Sequence, residues 1–191
     1  MATRRNFLKN ITLISGVLAT TTLEAKKEPA KSKKMPVGIQ LYSLRDVISK
    51  DLSGTLQAVS KIGYKSVEAY GFDGQFFSIQ APDFRKMCAD LGMVISSTHS
   101  GITAKNAQLF TEKAVEAGLE YLVLPSFMGR PEKTLDDFKK VAEEMNQIGE
   151  ITKKAGIQFG YHNHNFEFRQ LEGKLPYDVL LAETDPALVT F

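Results

Sequence analysis

From residue 35 onward the chain alternates between two hydrophobic periods. Short apolar runs at 37–42, 66–70, 93–98, 121–124, 157–161 and 188–191 have the length and near-continuity of buried strands. Between them the apolar residues fall three and four apart, the spacing of a helix face. Leu52, Leu56, Val59 and Ile62 share one face before Gly63, and Phe84, Met87, Cys88 and Leu91 share one before Gly92. Phe110, Ala114 and Ala117 precede Gly118. The longest pattern, about 134–155, sets Leu135, Phe138, Val141, Ala142, Met145, Ile148 and Ile151 along one stripe. Thr134 stands at its head as an N-cap, with Asp136 and Asp137 in the first turn and Lys153 and Lys154 in the last, matching the helix dipole. A glycine closes most of the helices, where a left-handed residue releases the chain into the next strand. A short final helix, about 177–183, ends at Asp185-Pro186.

Unbroken apolar strands alternating with helices predict an α/β protein with a parallel sheet. Two architectures fit: an open doubly wound sheet or a closed (β/α)8 barrel. The open nucleotide-binding sheet carries a glycine-rich turn after its first strand. Here that turn reads Ser43-Leu44-Arg45-Asp46, without glycine. The barrel is therefore the expectation, and a full one takes about 250 residues. The 191 residues supply about five βα units and the start of a sixth strand. The expected architecture is a TIM barrel truncated at that point.

Composition narrows the class. With 43% hydrophobic and 24% charged residues, and a formal charge of +2, the chain is too apolar and too balanced to be disordered. One cysteine, Cys88 on an apolar helix face, rules out a disulfide scaffold and reads as core. No apolar run reaches the roughly 18–20 residues of a membrane span.

Residues 1–25 read as an export signal: Arg4 and Arg5 precede Phe7 and Leu8, an apolar stretch follows, and Ala25 supplies a small residue. The paired arginines point to the twin-arginine route, and hence to a periplasmic or secreted protein. Residues 26–34, rich in lysine and holding Pro29, read as a linker, leaving 35–191 as the domain. Removing 1–25 takes away three basic groups and one acidic group, leaving 21 of each. A neutral protein has no long-range attraction for nucleic acid or an anionic membrane, so neither is an expected partner. No cysteine follows the signal to carry a lipid anchor.

In a barrel of this kind chemistry gathers at the carboxyl ends of the strands. All three histidines fall there: His99 after the third strand, His162 and His164 after the fifth. Glu68 lies inside the second strand, where a carboxylate is costly unless paired or used. Gln40 and Tyr42 close the first strand. In Tyr161-His162-Asn163-His164, strand alternation puts the two imidazoles on one face, and Glu167 adds an oxygen donor. Such a set suits a sugar's hydroxyls or a divalent ion.

These residues resemble a known family. The stretch Gly38-Ile39-Gln40-Leu41-Tyr42-Ser43-Leu44-Arg45, the segment Gly63-Tyr64-Lys65-Ser66-Val67-Glu68, His99, and Tyr161-His162-Asn163-His164 with Phe166-Glu167-Phe168 are similar to the xylose isomerase-like TIM barrels, the sugar phosphate isomerases/epimerases. The His-Asn-His stretch resembles a twin-arginine-exported branch. The resemblance implies an isomerase that moves a proton beside a sugar carbonyl through an enediolate, with a divalent ion (Mn²⁺, Mg²⁺, Co²⁺ or Zn²⁺) as cofactor. It implies Glu68, His99 and Glu167 as catalytic residues; Gln40, Tyr42, His162 and Asn163 as substrate contacts; and His164 and Glu167 as metal ligands. Family members carry a metal-binding glutamate where Tyr161 stands, and further ligands come from strands six to eight. This stretch is therefore not expected to complete the site alone. A lyase or hydrolase of 3-keto-glycosides and a non-catalytic sugar-binding protein are the alternatives. The partner is a small sugar or keto-sugar, and a homo-oligomer is compatible with the reading.

Overall fold

The computed structural model describes residues 36–127 and 133–191. The export signal and the lysine-rich linker read from the sequence lie outside the described residues.

Six parallel strands form one sheet: β1 (Gly38–Gln40), β2 (Ser66–Phe72), β5 (Val94–Ser100), β6 (Tyr121–Leu124), β7 (Gln158–Tyr161) and β8 (Val189–Thr190). Their spatial order is their chain order, with every neighbouring pair parallel. A doubly wound sheet reverses direction partway, so that its strand order doubles back. An order that never reverses is that of a (β/α) barrel, and it decides between the two architectures the sequence left open. Helices cover the crossovers: α1 (Arg45–Ile48), α2 (Leu52–Ile62), α3 (Ala81–Asp90), α4 (Ala107–Ala117), α5 (Leu135–Lys154) and α6 (Pro176–Glu183).

The core lies between the sheet and these helices. Val67, Ala69, Phe72, Leu122, Leu124, Phe159 and Val189 of the strands are buried together with Leu56, Val59, Phe84, Cys88, Phe138, Val141, Met145 and Ile148 of the helices. Cys88 has no exposed surface, and burial pushes its thiol up to about 11, so it stays a protonated core residue. Thr134 caps α5 as expected, accepting from the Asp137 N–H at 3.2 Å while the Asp137 carboxylate accepts from the Thr134 N–H at 3.1 Å. Gly149, on the buried stripe of α5, lets that helix approach Leu188 on the way into β8.

Three local features differ from the sequence reading. The first strand stops at Gln40, because the Gln40 side chain accepts from the Tyr42 N–H at 2.7 Å and turns residues 41–44 into a 3-10 turn. Ile62, expected on the buried face of α2, is 75% exposed at the end of that helix. A hairpin, β3 (Gln75–Phe76) with β4 (Ile79–Gln80), follows β2. Its two loop residues, Phe77 and Ser78, have φ of 52° and 65°. Asn or Gly would announce that left-handed turn, and neither is present. Among the described residues no helix is long and apolar enough to cross a membrane.

Candidate functional site

The inner face of the sheet carries a row of polar side chains. Gln40 of β1, Glu68 of β2 and Ser97 of β5 stand side by side in register across three adjacent strands. The register at β5 is not regular. Val67 pairs with Ile95, but the next residue, Glu68, pairs with Ser97, so Ser96 is an extra residue in that strand. Without it Ser96 would face Glu68 and His99 would point toward the helices. The bulge moves Ser97 and His99 to the inner face, beside Glu68, and puts Thr98 into the core with no exposure.

Glu68 is thereby held on both oxygens. Oε1 accepts from the Gln40 amide at 2.8 Å and lies 3.3 Å from His99 Nε2; Oε2 accepts from the Ser97 hydroxyl. Burial by itself would raise its pKa. Hydrogen bonds from His99 and Ser97, the attraction of His99 and the Gln40 amide outweigh that cost and hold the carboxyl below its ordinary value. It is an ionised carboxylate at neutral pH.

Beside this pair lies a cavity of about 440 Å³. Gln40, Tyr42, Tyr70, His99, His162 and His164 line it, with Pro125 and Ser126 on the rim. All three histidines of the chain therefore meet at one place. Their rings form a row, His99 to His162 at 5.1 Å and His162 to His164 at 5.0 Å between centroids. Burial, then the two flanking imidazoles, lower the pKa of His162, which makes it a neutral ring at neutral pH. Aromatic rings line it as well: Tyr42 and Tyr70 meet edge to face at 5.2 Å, and Phe77 of the hairpin supports Tyr70 at 5.2 Å. The cavity so combines aromatic rings with hydrogen-bonding groups, as a sugar ring requires. A larger groove of about 680 Å³ runs between α5 and α6, but no imidazole lines it.

Three expected site residues are not part of the cavity lining; Glu68 is one, although it touches two residues that are, Gln40 and His99. Asn163 is half-buried between the two histidines and does not line the cavity. Glu167 has no exposed surface; its Oε1 accepts from the Tyr161 hydroxyl and its Oε2 from the His164 N–H at 2.8 Å. Tyr161 pairs with Leu124 and shares the core-facing side of β7 with Phe159, so alternation carries it away from the cavity. Beyond Tyr161 the chain leaves the strand, and His162 and His164 reach the cavity from a loop. Among the described residues no group of three or more His, Cys, Asp or Glu side chains is arranged to hold a metal ion. Of the two expected metal ligands, His164 lines the cavity, whereas both oxygens of Glu167 are taken up by Tyr161 and the His164 N–H. Tyr70, in the lining, and Ser97, bonded to Glu68, are outside the set expected from the sequence; Tyr70 stands two residues after Glu68 in β2, a position from which alternation turns it inward.

No family model matches the chain. It is 26% identical over 95 residues to an inosose dehydratase of Bacillus licheniformis, across 50% of this chain and 29% of that protein. Among solved structures, a sugar phosphate isomerase/epimerase from Parabacteroides distasonis is 31% identical, with a TM-score of 0.72 over 84% of this chain and 65% of that one. A D-psicose 3-epimerase, 15% identical with a TM-score of 0.58 over 81% of this chain and 62% of that one, shares the fold. The chain thus spans less than a third of the curated relative and less than two thirds of these solved structures. Its structural neighbours are sugar phosphate isomerase/epimerase and xylose isomerase-like TIM barrel proteins.

Proposed function

We propose that this chain carries part of the active site of a sugar isomerase or epimerase that works by enolisation. The observation that carries the reading is Glu68: an ionised carboxylate fixed by Gln40, Ser97 and His99, the first and last of which line a cavity of tyrosine and imidazole rings. A keto-sugar bound there places its ring against Tyr42 and Tyr70. Glu68 accepts the proton from the carbon beside the carbonyl, and the C–H electrons move into an enediolate. A carboxylate of low pKa is a weak base, so the step needs the enediolate to be stabilised. His162, neutral and central in the imidazole row, donates its ring N–H toward the developing oxyanion. Return of the proton to the other face or the adjacent carbon gives the epimer or the isomer.

The test is proton NMR in D2O, with the full-length protein offered a panel of ketoses and 3-keto-glycosides. Exchange of the proton beside the carbonyl, with epimer or isomer formed, is the expected result. Release of the leaving group from the keto-glycosides alone would reassign the site to a lyase acting by the same enolisation. Binding without any exchange would reduce it to a sugar-binding protein.

Export by the twin-arginine route belongs to the same proposal and rests on Arg4 and Arg5 with the apolar stretch after them. A reporter fused behind residues 1–34 is expected in the periplasm. Replacing both arginines by lysine is expected to strand it in the cytoplasm, and unchanged export would refute the route.

A further inference from the structure

We propose that Glu167 is a positioning residue, a latch that with Tyr161 fixes residues 162–166 so that His162 and His164 face the cavity. The inference takes the role of the cavity from the reading above, but the latch itself stands on contacts within this chain. A carboxylate with no exposed surface is strongly disfavoured unless hydrogen bonds fill its oxygens. Here they do: the Tyr161 hydroxyl donates to one oxygen, and the His164 backbone N–H donates to the other at 2.8 Å.

The two donors explain the geometry. Tyr161 is the last residue of β7, and Glu167 sits in the 3-10 turn Phe166–Phe168. Their bond closes the intervening loop into a ring, and the bond to His164 ties the middle of the loop to the same carboxylate. Phe127 clamps both ends, stacked on Tyr161 at 5.0 Å and edge-on to Phe166 at 5.7 Å. At the start, the His162 N–H donates to the Leu124 carbonyl at 3.0 Å, and further along the His164 ring stacks on Phe166 at 5.8 Å. With the backbone held this way, the two imidazoles are left on the cavity side, 5.0 Å apart. A metal ligand or proton carrier needs an oxygen open to the cavity, and Glu167 has none.

The latch and a charged role for Glu167 predict opposite behaviour for one conservative change. In Glu167→Gln the amide oxygen still accepts from the His164 N–H, and the amide N–H can donate to the Tyr161 oxygen. The fork survives and only the charge is lost. Glu167→Ala removes the fork, and Tyr161→Phe removes one prong while keeping the stack on Phe127. Two readouts on the full chain are needed: the His162–His164 ring contact, by nuclear Overhauser effects without ligand, and the rate of exchange beside the keto-sugar carbonyl. Glu167→Gln is expected to keep both near wild type. Tyr161→Phe is expected to weaken the ring contact. Glu167→Ala is expected to lose the contact and about 10²-fold in exchange, the scale of a 1 Å misplacement. Loss of exchange in Glu167→Gln with the ring contact intact would overturn the latch in favour of a charged role. An undisturbed contact in Tyr161→Phe would overturn it too, and that variant serves if Glu167→Ala does not fold. If the wild type shows no exchange, the sugar reading fails while the ring contacts still judge the latch.

Discussion

Glu68→Gln is expected to fold normally and to lower the rate of proton exchange beside a keto-sugar carbonyl by about 10²–10⁴-fold, the usual contribution of a positioned proton acceptor. The amide is isosteric, and it still has an oxygen for one of its donors, the Gln40 amide or the Ser97 hydroxyl. What it lacks is a lone pair basic enough to take a proton from carbon. An effect smaller than tenfold, with sugar binding unchanged, would remove Glu68 from the chemistry. The same variant has a signature in stability. The folded pKa of Glu68 lies below its ordinary value, so its contribution is fully present above the ordinary carboxylate range. That contribution is lost as pH falls through the lower folded value. Wild type should therefore lose stability on acidification faster than Glu68→Gln, measured as urea midpoints over a descending pH series. Parallel losses would show that His99, Ser97 and Gln40 together do not hold the carboxylate.

The second large effect is expected at Gly149. A Cβ there would lie 2.8 Å from both the Cβ and the carbonyl oxygen of Leu188 and 3.1 Å from its carbonyl carbon. Two of these are backbone atoms and cannot rotate aside. Elsewhere in a helix, alanine for glycine stabilises by up to about 1 kcal/mol. Here the sign reverses: Gly149→Ala must push α5 away from the segment leading into β8, at a cost of about 1–3 kcal/mol typical of overpacking. Thermal or urea unfolding reads it directly. A Gly149→Ala protein as stable as wild type would mean that α5 and residue 188 are further apart than described. The site should respond less than the fold, because Gly149 lies on the helix side of the sheet.

The six strands of the main sheet, the helices between them and their order are legible along the chain alone. Strands announce themselves as short, nearly unbroken apolar runs and helices through a period near four, which are local properties of the chain. Thr134, four apolar faces and a set of closing glycines were therefore legible before any coordinates. So was the gathering of His99, His162 and His164 at the carboxyl ends of strands, since that follows from where each strand stops. The tertiary structure decided matters that depend on a neighbour's register or on a partner distant in the chain. The extra residue Ser96 turns His99 inward, and nothing in Ser96-Ser97-Thr98-His99 distinguishes that register from the regular one. The hairpin that carries Phe77 to Tyr70 forms with no glycine or asparagine in its loop, because packing of Phe77 on Tyr70 and Phe84 favours a backbone its own residues do not. Its spacing to the histidines makes Glu167 an expected oxygen donor to the site. Its burial depends on a tyrosine hydroxyl six residues back meeting it in three dimensions, and pattern along the chain does not encode that meeting.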